Sequence, residues 1–517
     1  MLLIYPPVAK PCEPPAGITR LSGMLGTLGV AHRLLDANLE GLLYLLRTPA
    51  HATRTGDIWT SRAMRNCDRN LSSIRGPALY LNLDRYKRAV LDLARVLAAV
   101  SPAGSSVSLV NYEHEDMSPV RSEDLIRAAE QPERDPFYPY FSARLKQLFS
   151  EQEPAFTGIS VNYLSQALPA FSMLGYMKRE FPSLRVIMGG GLITSWLRRP
   201  GWKNPFSGLV DHLVAGPGEN ELPSILGLKT TSTEAPTPNY LSLPLKDYLS
   251  PGFILPYSAS SGCYWNRCGF CPEKAEGSSY TPVPAASVIS DVEALKRETS
   301  PVLIHFLDNA ISPALFKILA GSDLGIPWYG FARVSQYLTD LDFCMQLKRS
   351  GCVMLKLGIE SGDQAVLDAL EKGTSVKMSS AVLKNLKKVG IGAYVYLLFG
   401  TPPETGKSAA KTLEFTVEHA DCINFLNLAI FNMPVCGDPA DGIDRKGFYE
   451  GDLSLYTDFV HPAGWNRRRV REFLDREFKK HPAVSAILKK DPPLFTSNHA
   501  PFFLMGRGVR NAALFAP

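Results

Sequence analysis

Cys263-Tyr264-Trp265-Asn266-Arg267-Cys268-Gly269-Phe270-Cys271-Pro272 places three cysteines within nine residues, and no fourth follows until Cys344. A closed structural metal site takes four ligands, commonly as two CxxC-like pairs. Three thiolates on one loop suit an iron–sulfur cluster with one iron left to a ligand that is not protein. A zinc loop, or three unrelated thiols on a strand-to-helix turn, would use the same residues. The spacing and the strand that delivers the loop favour the cluster.

Outward from the loop, apolar runs alternate with helical patterns. Phe253 to Ser258 reads as the strand that delivers the cysteines. Val302 to Leu307, Trp328 to Ala332, Val353 to Ile359, Ala393 to Phe399 and Ile423 to Phe431 read as five more. Val288, Ile289, Val292 and Leu295 mark one intervening helix face, and Val382, Leu383, Leu386 and Val389 another. Such an order predicts a parallel, barrel-like sheet with its site at the carboxyl ends of the strands. Polar residues stand at those ends: Asp308 and Asn309, Arg333, then Glu360. Singly each is a common helix cap or turn former. Together, beside an open iron, they read as a ring around a charged small molecule.

The cysteine loop resembles that of the radical S-adenosylmethionine (SAM) superfamily, whose usual spacing is C-x3-C-x2-C. Here the first gap is one residue longer, the second is the family's, and Phe270 is the aromatic expected before the last cysteine. The strings Gly358-Ile359-Glu360-Ser361-Gly362 and Gly400-Thr401-Pro402-Pro403-Glu404-Thr405 carry the resemblance further. It implies that Cys263, Cys268 and Cys271 hold a [4Fe-4S] cluster whose fourth iron binds SAM. It places Asp308 and Asn309 by the amino group of SAM, Arg333 near its carboxylate and Glu360 near its ribose. Gly400 and Pro402 would back the adenine through main chain.

The N-terminal third reads as α/β. Leu2-Leu3-Ile4-Tyr5 is a short apolar run stopped by Pro6 and Pro7, as a strand buried on both faces would be. Ile18, Leu21, Met24, Leu25 and Leu28 recur at helical spacing, and Gly29 ends that helix. His32 to Leu35 is a second strand, followed later by Phe156 to Val161, Arg185 to Met188 and His212 to Ala215. The last two empty into Gly189-Gly190-Gly191 and Gly216-Pro217-Gly218-Glu219, where backbone turns tightly or approaches a ligand. No GxGxxG fingerprint is present, which argues against a dinucleotide. With Tyr5-Pro6-Pro7, Pro14 to Gly17 and Asp36 to Asn38, these loops resemble the cobalamin-binding domain found ahead of many radical SAM domains. The D-x-H-x-x-G signature of a cobalt-ligating histidine is absent, as in many radical SAM members of this type.

The expected organisation is an N-terminal doubly wound, Rossmann-like cobalamin-binding domain over 1–228 with an insertion at about 41–153. A linker at 229–250, a partial (β/α)6 radical SAM barrel over 251–435 and a C-terminal extension over 436–517 follow. Tyr86 to Leu97 reads as an amphipathic helix, Asp135 to Phe141 as an aromatic loop, and Phe495 to Phe503 as a second loop in which His499 is an acid–base candidate by residue type alone.

Composition bounds the rest. The chain has 517 residues, too many for one core, and a net charge of +5. That charge gives no argument for nucleic acid, and no apolar run reaches the length of a membrane span. Nine cysteines with three clustered suggest thiols used for metal in a reducing, cytoplasmic setting. The resemblance implies a cobalamin-dependent methyltransferase acting on an unactivated carbon of a small molecule or peptide, reduced by a donor such as flavodoxin or ferredoxin. A rearrangement or cyclisation without methylation, or a non-catalytic metal-binding scaffold, are the other readings.

Overall fold

The computed structural model describes residues 1–48, 57–228, 235–436, 443–446 and 451–508. The chain divides into two units. The first comprises Met1–Leu79, Asp84–Phe253 and Tyr449–Leu455; the second comprises Tyr80–Leu83, Ile254–Phe448 and Tyr456–Pro517.

In the first unit, β1 (Leu2–Tyr5), β2 (Arg33–Asp36), β3 (Phe156–Ser160), β4 (Arg185–Gly189) and β5 (His212–Leu213) form a sheet of order β2-β1-β3-β4-β5. Every pairing is parallel. Leu2, Leu3 and Ile4 are buried because β1 lies inside the sheet and is covered on both faces. Helix α1 (Ala16–Thr27) packs Ile18, Met24 and Leu25 against Leu3, Ile187 and Val214. It stops where the sequence places Gly29. That residue takes φ +68°, its N–H donates to Gly26, and Val30 N–H donates to Leu25. This 6→1 and 5→2 pair satisfies carbonyls that the helix end would otherwise leave open. The order 2-1-3-4-5 reverses between β1 and β3, so the crevice for a ligand lies beyond their carboxyl ends.

Two stretches of this unit differ from expectation. The aromatic loop at 135–141 is a loop only to Phe137; Tyr138–Glu151 is a helix with Pro139 in its first turn. Proline is favoured there because its missing N–H has no intrahelical partner anyway. Helix Leu164–Glu180 is three times the length that the pattern around Met173 to Lys178 suggests. It is apolar around most of its circumference and holds Pro169, so no amphipathic period marks it.

Gly175 of that helix meets Ser122–Glu130 backbone to helix; a Cβ on Gly175 would collide with the carbonyl of Ala129. Since backbone cannot yield as a side-chain tip can, Gly175→Ala is expected to cost about 3 kcal/mol. A thermal melt of the purified variant reads this as a lowered Tm. Of the linker expected at 229–250, residues 229–234 lie outside the described residues. Residues Tyr240, Tyr248 and Leu249 are buried, with Leu249 N–H on Pro11 (2.8 Å) and Tyr248 Oη on Asp36 (2.6 Å).

In the second unit, β6 (Ile254–Tyr257), β7 (Leu303–Phe306), β8 (Trp328–Ala332), β9 (Cys352–Glu360), β10 (Gly392–Phe399) and β11 (Phe425–Ile430) pair in sequence order. All are parallel, with helices Ala285–Thr299, Pro313–Gly321, Leu341–Arg349, Val376–Val389 and Gly406–Glu418 between them. Among the described residues the sheet does not close from β11 to β6, so this is a partial barrel. Its loops at the carboxyl ends of the strands share one rim.

The C-terminal loop expected at 495–503 is instead helix Thr496–Gly508. Asn498, His499 and Pro501 lower its intrinsic propensity, and burial overrides them. His499 is fully buried between Tyr80, Phe495 and Phe502, and Leu504 fills the space over Gly392. His499 is thus a packed core residue. No helix among the described residues is long and apolar enough to cross a membrane.

Candidate functional site

The cysteine loop leaves β6 through a short antiparallel pairing of Ser260–Ser261 with Thr281–Pro282. Gly262 then takes φ +70°, where a Cβ would lie 2.5 Å from the carbonyl of Ser279. Only glycine fits this approach. Gly269 N–H donates to Leu370 (2.9 Å), and Cys271 N–H donates to Cys268 (3.2 Å), which turns the chain into helix Pro272–Ala275. Cys268 is buried; Cys263 and Cys271 are half-buried, and all three are free thiols.

Burial pushes the Cys271 thiol up; the backbone N–H groups of Lys274 and Glu273 pull it down, and the charges of Cys268 and Cys263 push it up again. The three sulfurs therefore feel one another. Among the described residues, no group of three or more His, Cys, Asp and Glu side chains is already arranged to hold a metal ion. By residue type the donor set fits an iron–sulfur cluster: three thiols on one loop, with no further cysteine in sequence until Cys344.

The strand-end residues gather on the same rim. Asp308, buried after β7, accepts from Ala259 N–H (3.1 Å) and from the Ser260 hydroxyl, so it fixes the exit of β6 into the cysteine loop. Asn309 beside it is exposed. Arg333, 8% exposed after β8, donates through Nη1 to Cys268 Sγ (3.8 Å) and through Nη2 to the carbonyl of Lys372. Glu360 ends β9 at φ +65°, a strained conformation for a residue with a Cβ. Its Oε1 accepts from Lys372 Nζ (2.8 Å), and the pair lies over Gly358, where a Cβ would collide with both.

After β10, Gly400 takes φ +80° and its N–H donates to Glu404 Oε2, while Pro402 is half-buried. Glu404 Oε2 also accepts from Trp465 Nε1 (2.9 Å). His461 Nδ1 accepts from the N–H groups of Ala463 and Trp465 (3.2 Å each), so its Nε2 carries the proton and donates to Thr401 O (2.9 Å). Thr401 Oγ1 and Glu404 Oε1 are buried without a hydrogen-bond partner. Two orphaned polar atoms on one strand-end loop fit a polar ligand there.

Burial pushes the Glu404 carboxyl up to about 7, against the pull of its two N–H donors. The folded state holds this proton more tightly than the unfolded chain, where the carboxyl titrates near 4.5. Its contribution to stability is full below that value and is lost as pH rises through about 7. The loss is on the order of 3 kcal/mol. Glu404→Gln is expected to flatten this slope, read from denaturant midpoints between about pH 4 and about pH 8.

In the first unit, Pro6 and Pro7 are buried just past β1. Gly189, Gly190 and Gly191 leave β4, and Gly190 at φ +103° would place a Cβ 2.5 Å from the carbonyl of Val161, beyond β3. Gly191 N–H donates to Asn162 Oδ1 (2.9 Å). Gly216 N–H donates to Thr194 Oγ1 (2.9 Å), and Gly218 packs against Leu21. Glu219 is paired with Arg20 at 2.6 Å. These glycines let main chain pack closely on Val161, Asn162, Val214 and Leu21 at the carboxyl ends of this sheet, the end at which a doubly wound sheet takes its ligand.

Lys372, Trp465 and His461 belong to these networks, as does Trp265, whose Nε1 donates to the carbonyl of Glu371 (3.1 Å) next to Lys372, and no sequence pattern marks a role for any of them. Lys372 and Trp465 sit in loops with no period to mark them. Trp265 lies inside the quoted cysteine stretch, where the lengthened first gap was the available signal.

Residues 257–416 match the sequence family described as the radical SAM superfamily. The chain is 28% identical over 264 residues to an uncharacterized methyltransferase, PH0819, of Pyrococcus horikoshii, covering 46% of this chain and 53% of that protein. It is 27% identical over 256 residues to bacteriochlorophyllide d C-12(1)-methyltransferase of Chlorobaculum tepidum, covering 46% and 54%. A third relative, 26% identical over 165 residues, is anaerobic magnesium-protoporphyrin IX monomethyl ester cyclase of Rubrivivax gelatinosus, covering 31% and 29%. The chain thus spans about half the length of the two methyltransferases it matches. In fold it is similar to the radical SAM methyltransferase TsrM of Kitasatospora setae, solved with cobalamin and a [4Fe-4S] cluster bound. The TM-score is 0.52 at 15% identity, over 90% of this chain and 84% of that one.

Proposed function

We propose, from a chain whose residues 257–416 match the radical SAM superfamily, that this enzyme is a cobalamin-dependent methyltransferase acting on a carbon of a small molecule or peptide. The observation that carries the reading is the three-cysteine loop on the rim of a parallel partial barrel, in a chain that also holds a 2-1-3-4-5 sheet with glycine-rich loops at the carboxyl ends of its strands. When bound, the cluster supplies the electron that splits SAM to methionine and a deoxyadenosyl radical, and the corrinoid supplies a transferable methyl group.

The protein's own work is to bind and orient. Cys263, Cys268 and Cys271 would hold the cluster. Asp308 fixes the strand that carries them. The Glu360–Lys372 pair and the orphaned atoms of Thr401 and Glu404 would meet the polar edges of SAM. Gly189 to Gly191, Gly216 and Gly218 would let the corrinoid approach main chain, with Pro6 and Pro7 shaping the crevice beside β1. A low-potential protein such as flavodoxin or ferredoxin would deliver the electron.

The likeness to a cyclase supports a second reading, a ring-forming or rearranging reaction without methylation. Anaerobically purified protein is the test. Its absorption spectrum reports cluster and corrinoid together. Incubation with SAM, dithionite and candidate substrates, followed by mass analysis, separates the outcomes. A product heavier by one methylene unit, with S-adenosylhomocysteine, supports methyl transfer. Deoxyadenosine with an isomerised or cyclised product supports the second reading. No cleavage of SAM by cluster-loaded protein overturns both.

A further inference from the structure

The lengthened first gap of the cysteine loop has a structural use. Asn266 takes φ +43° and so absorbs the extra residue in a tight left-handed turn. Trp265, just before it, is laid flat against the loop at 370–373. Its Nε1 donates to the carbonyl of Glu371 (3.1 Å), and its ring occupies the space over Gly373, where a Cβ would collide with the indole. Lys274 Nζ donates to Arg267 O (2.7 Å) and to Glu371 Oε2 (3.2 Å), joining the same two loops.

On the indole lies Arg333, its guanidinium carbon 4.1 Å from the ring centroid. The same guanidinium reaches Cys268 Sγ at 3.8 Å and the carbonyl of Lys372. A ring face below, a carbonyl at one end and a sulfur at the other fix its plane and its direction. Arginine suits this post because its donors form a rigid, always charged fork that stacks on aromatic faces.

We propose that Trp265 and Arg333 together tune the reduction potential of the cluster: the indole holds the guanidinium flat, and the guanidinium donates to the Cys268 sulfur. This rests on the iron–sulfur reading above. A donor and a positive charge at a ligand sulfur stabilise the form that carries one more electron. The step is the gain of one electron by the cluster from an external low-potential donor, which is oxidised in turn; no covalent bond breaks. The competing assignment puts Arg333 on the carboxylate of SAM. That assignment leaves the SAM-free potential untouched by substitution.

The experiment is an EPR-monitored titration with dithionite, without SAM, of anaerobically reconstituted wild type, Arg333→Lys, Arg333→Gln, Trp265→Phe and Trp265→Leu. Iron and sulfide are assayed first. At the wild-type midpoint, Arg333→Gln is expected to show a reduced-to-oxidised ratio about tenfold smaller, the size of a lost charge-assisted hydrogen bond. Arg333→Lys restores part of it, and Trp265→Leu falls in the same direction because the guanidinium loses its support. Should Arg333→Gln take up too little iron, Arg333→Lys and Trp265→Leu carry the comparison, both expected below wild type, while Trp265→Phe keeps a ring under the guanidinium and serves as the control. Midpoints equal to wild type in the Arg333 variants and Trp265→Leu, at equal iron content, overturn this inference and leave the cluster reading standing. A wild type that takes up no iron and sulfide overturns the cluster reading itself.

Discussion

Replacement of Cys268 by alanine is expected to reduce deoxyadenosine formation from SAM to the level of enzyme-free dithionite controls. Cys263→Ala and Cys271→Ala are expected to do the same. The expectation follows from ligand arithmetic. Three thiolates leave one iron for SAM; two leave a cluster that lacks a ligand. The nearest other cysteines in sequence, Cys344 and Cys352, are fully buried on a helix and a strand, where burial pushes their thiols up to about 11 and to higher values. They cannot stand in. Cys268 is the most demanding of the three because it is also the sulfur that Arg333 reaches. Iron and sulfide analysis of each reconstituted variant, with deoxyadenosine measured by mass spectrometry, checks the prediction. Full activity in any single variant sinks the ligand assignment.

The second large effect is expected at Gly190. A residue there must accept φ +103° and a Cβ within 2.5–2.9 Å of three backbone atoms of Val161. Neither neighbour can yield: Val161 N–H is bonded to Gly189 O and Val161 O to Leu192 N–H. Gly190→Ala therefore either breaks this double link between the ends of β3 and β4 or strains it, at a cost of about 3 kcal/mol. It also alters the loop assigned to the corrinoid. The expected result is a lower Tm together with loss of corrinoid absorption from the purified protein. Gly26→Ala is the control, since a Cβ there meets nothing within 4 Å.

How far the sequence revealed this molecule depended on burial. Strands covered on both faces appear as unbroken apolar runs, so Leu2–Tyr5 and Trp328–Ala332 are readable to the residue and the other expected strands to within two at each end. Helix Leu164–Glu180 was hidden by the same cause: buried on nearly all sides, it has no polar face to set a period. Helix Thr496–Gly508 was hidden by weak local propensity that packing around Tyr80 overrides.

The candidate site divides likewise. Asp308, Arg333 and Glu360 were visible because a polar residue at the end of an apolar run breaks the pattern. What they touch was not visible. The partner of Glu360 is Lys372, on the following loop, and the supports of the 400–404 loop come from Trp465 and His461, some sixty residues on. Such pairings are made by tertiary folding and leave no spacing behind.

The division of the chain into units has a consequence for anyone dissecting the gene. No single cut separates them. A fragment ending at Phe253 lacks Asp452, whose carboxylate accepts from Ser122 N–H, and Leu453, whose N–H donates to Val120. A fragment beginning at Ile254 lacks Tyr80, whose ring packs against His499, Phe502 and Phe503. Each unit draws a piece from the other's stretch of codons, so a gene cut at any one point leaves both fragments short of residues their own cores use.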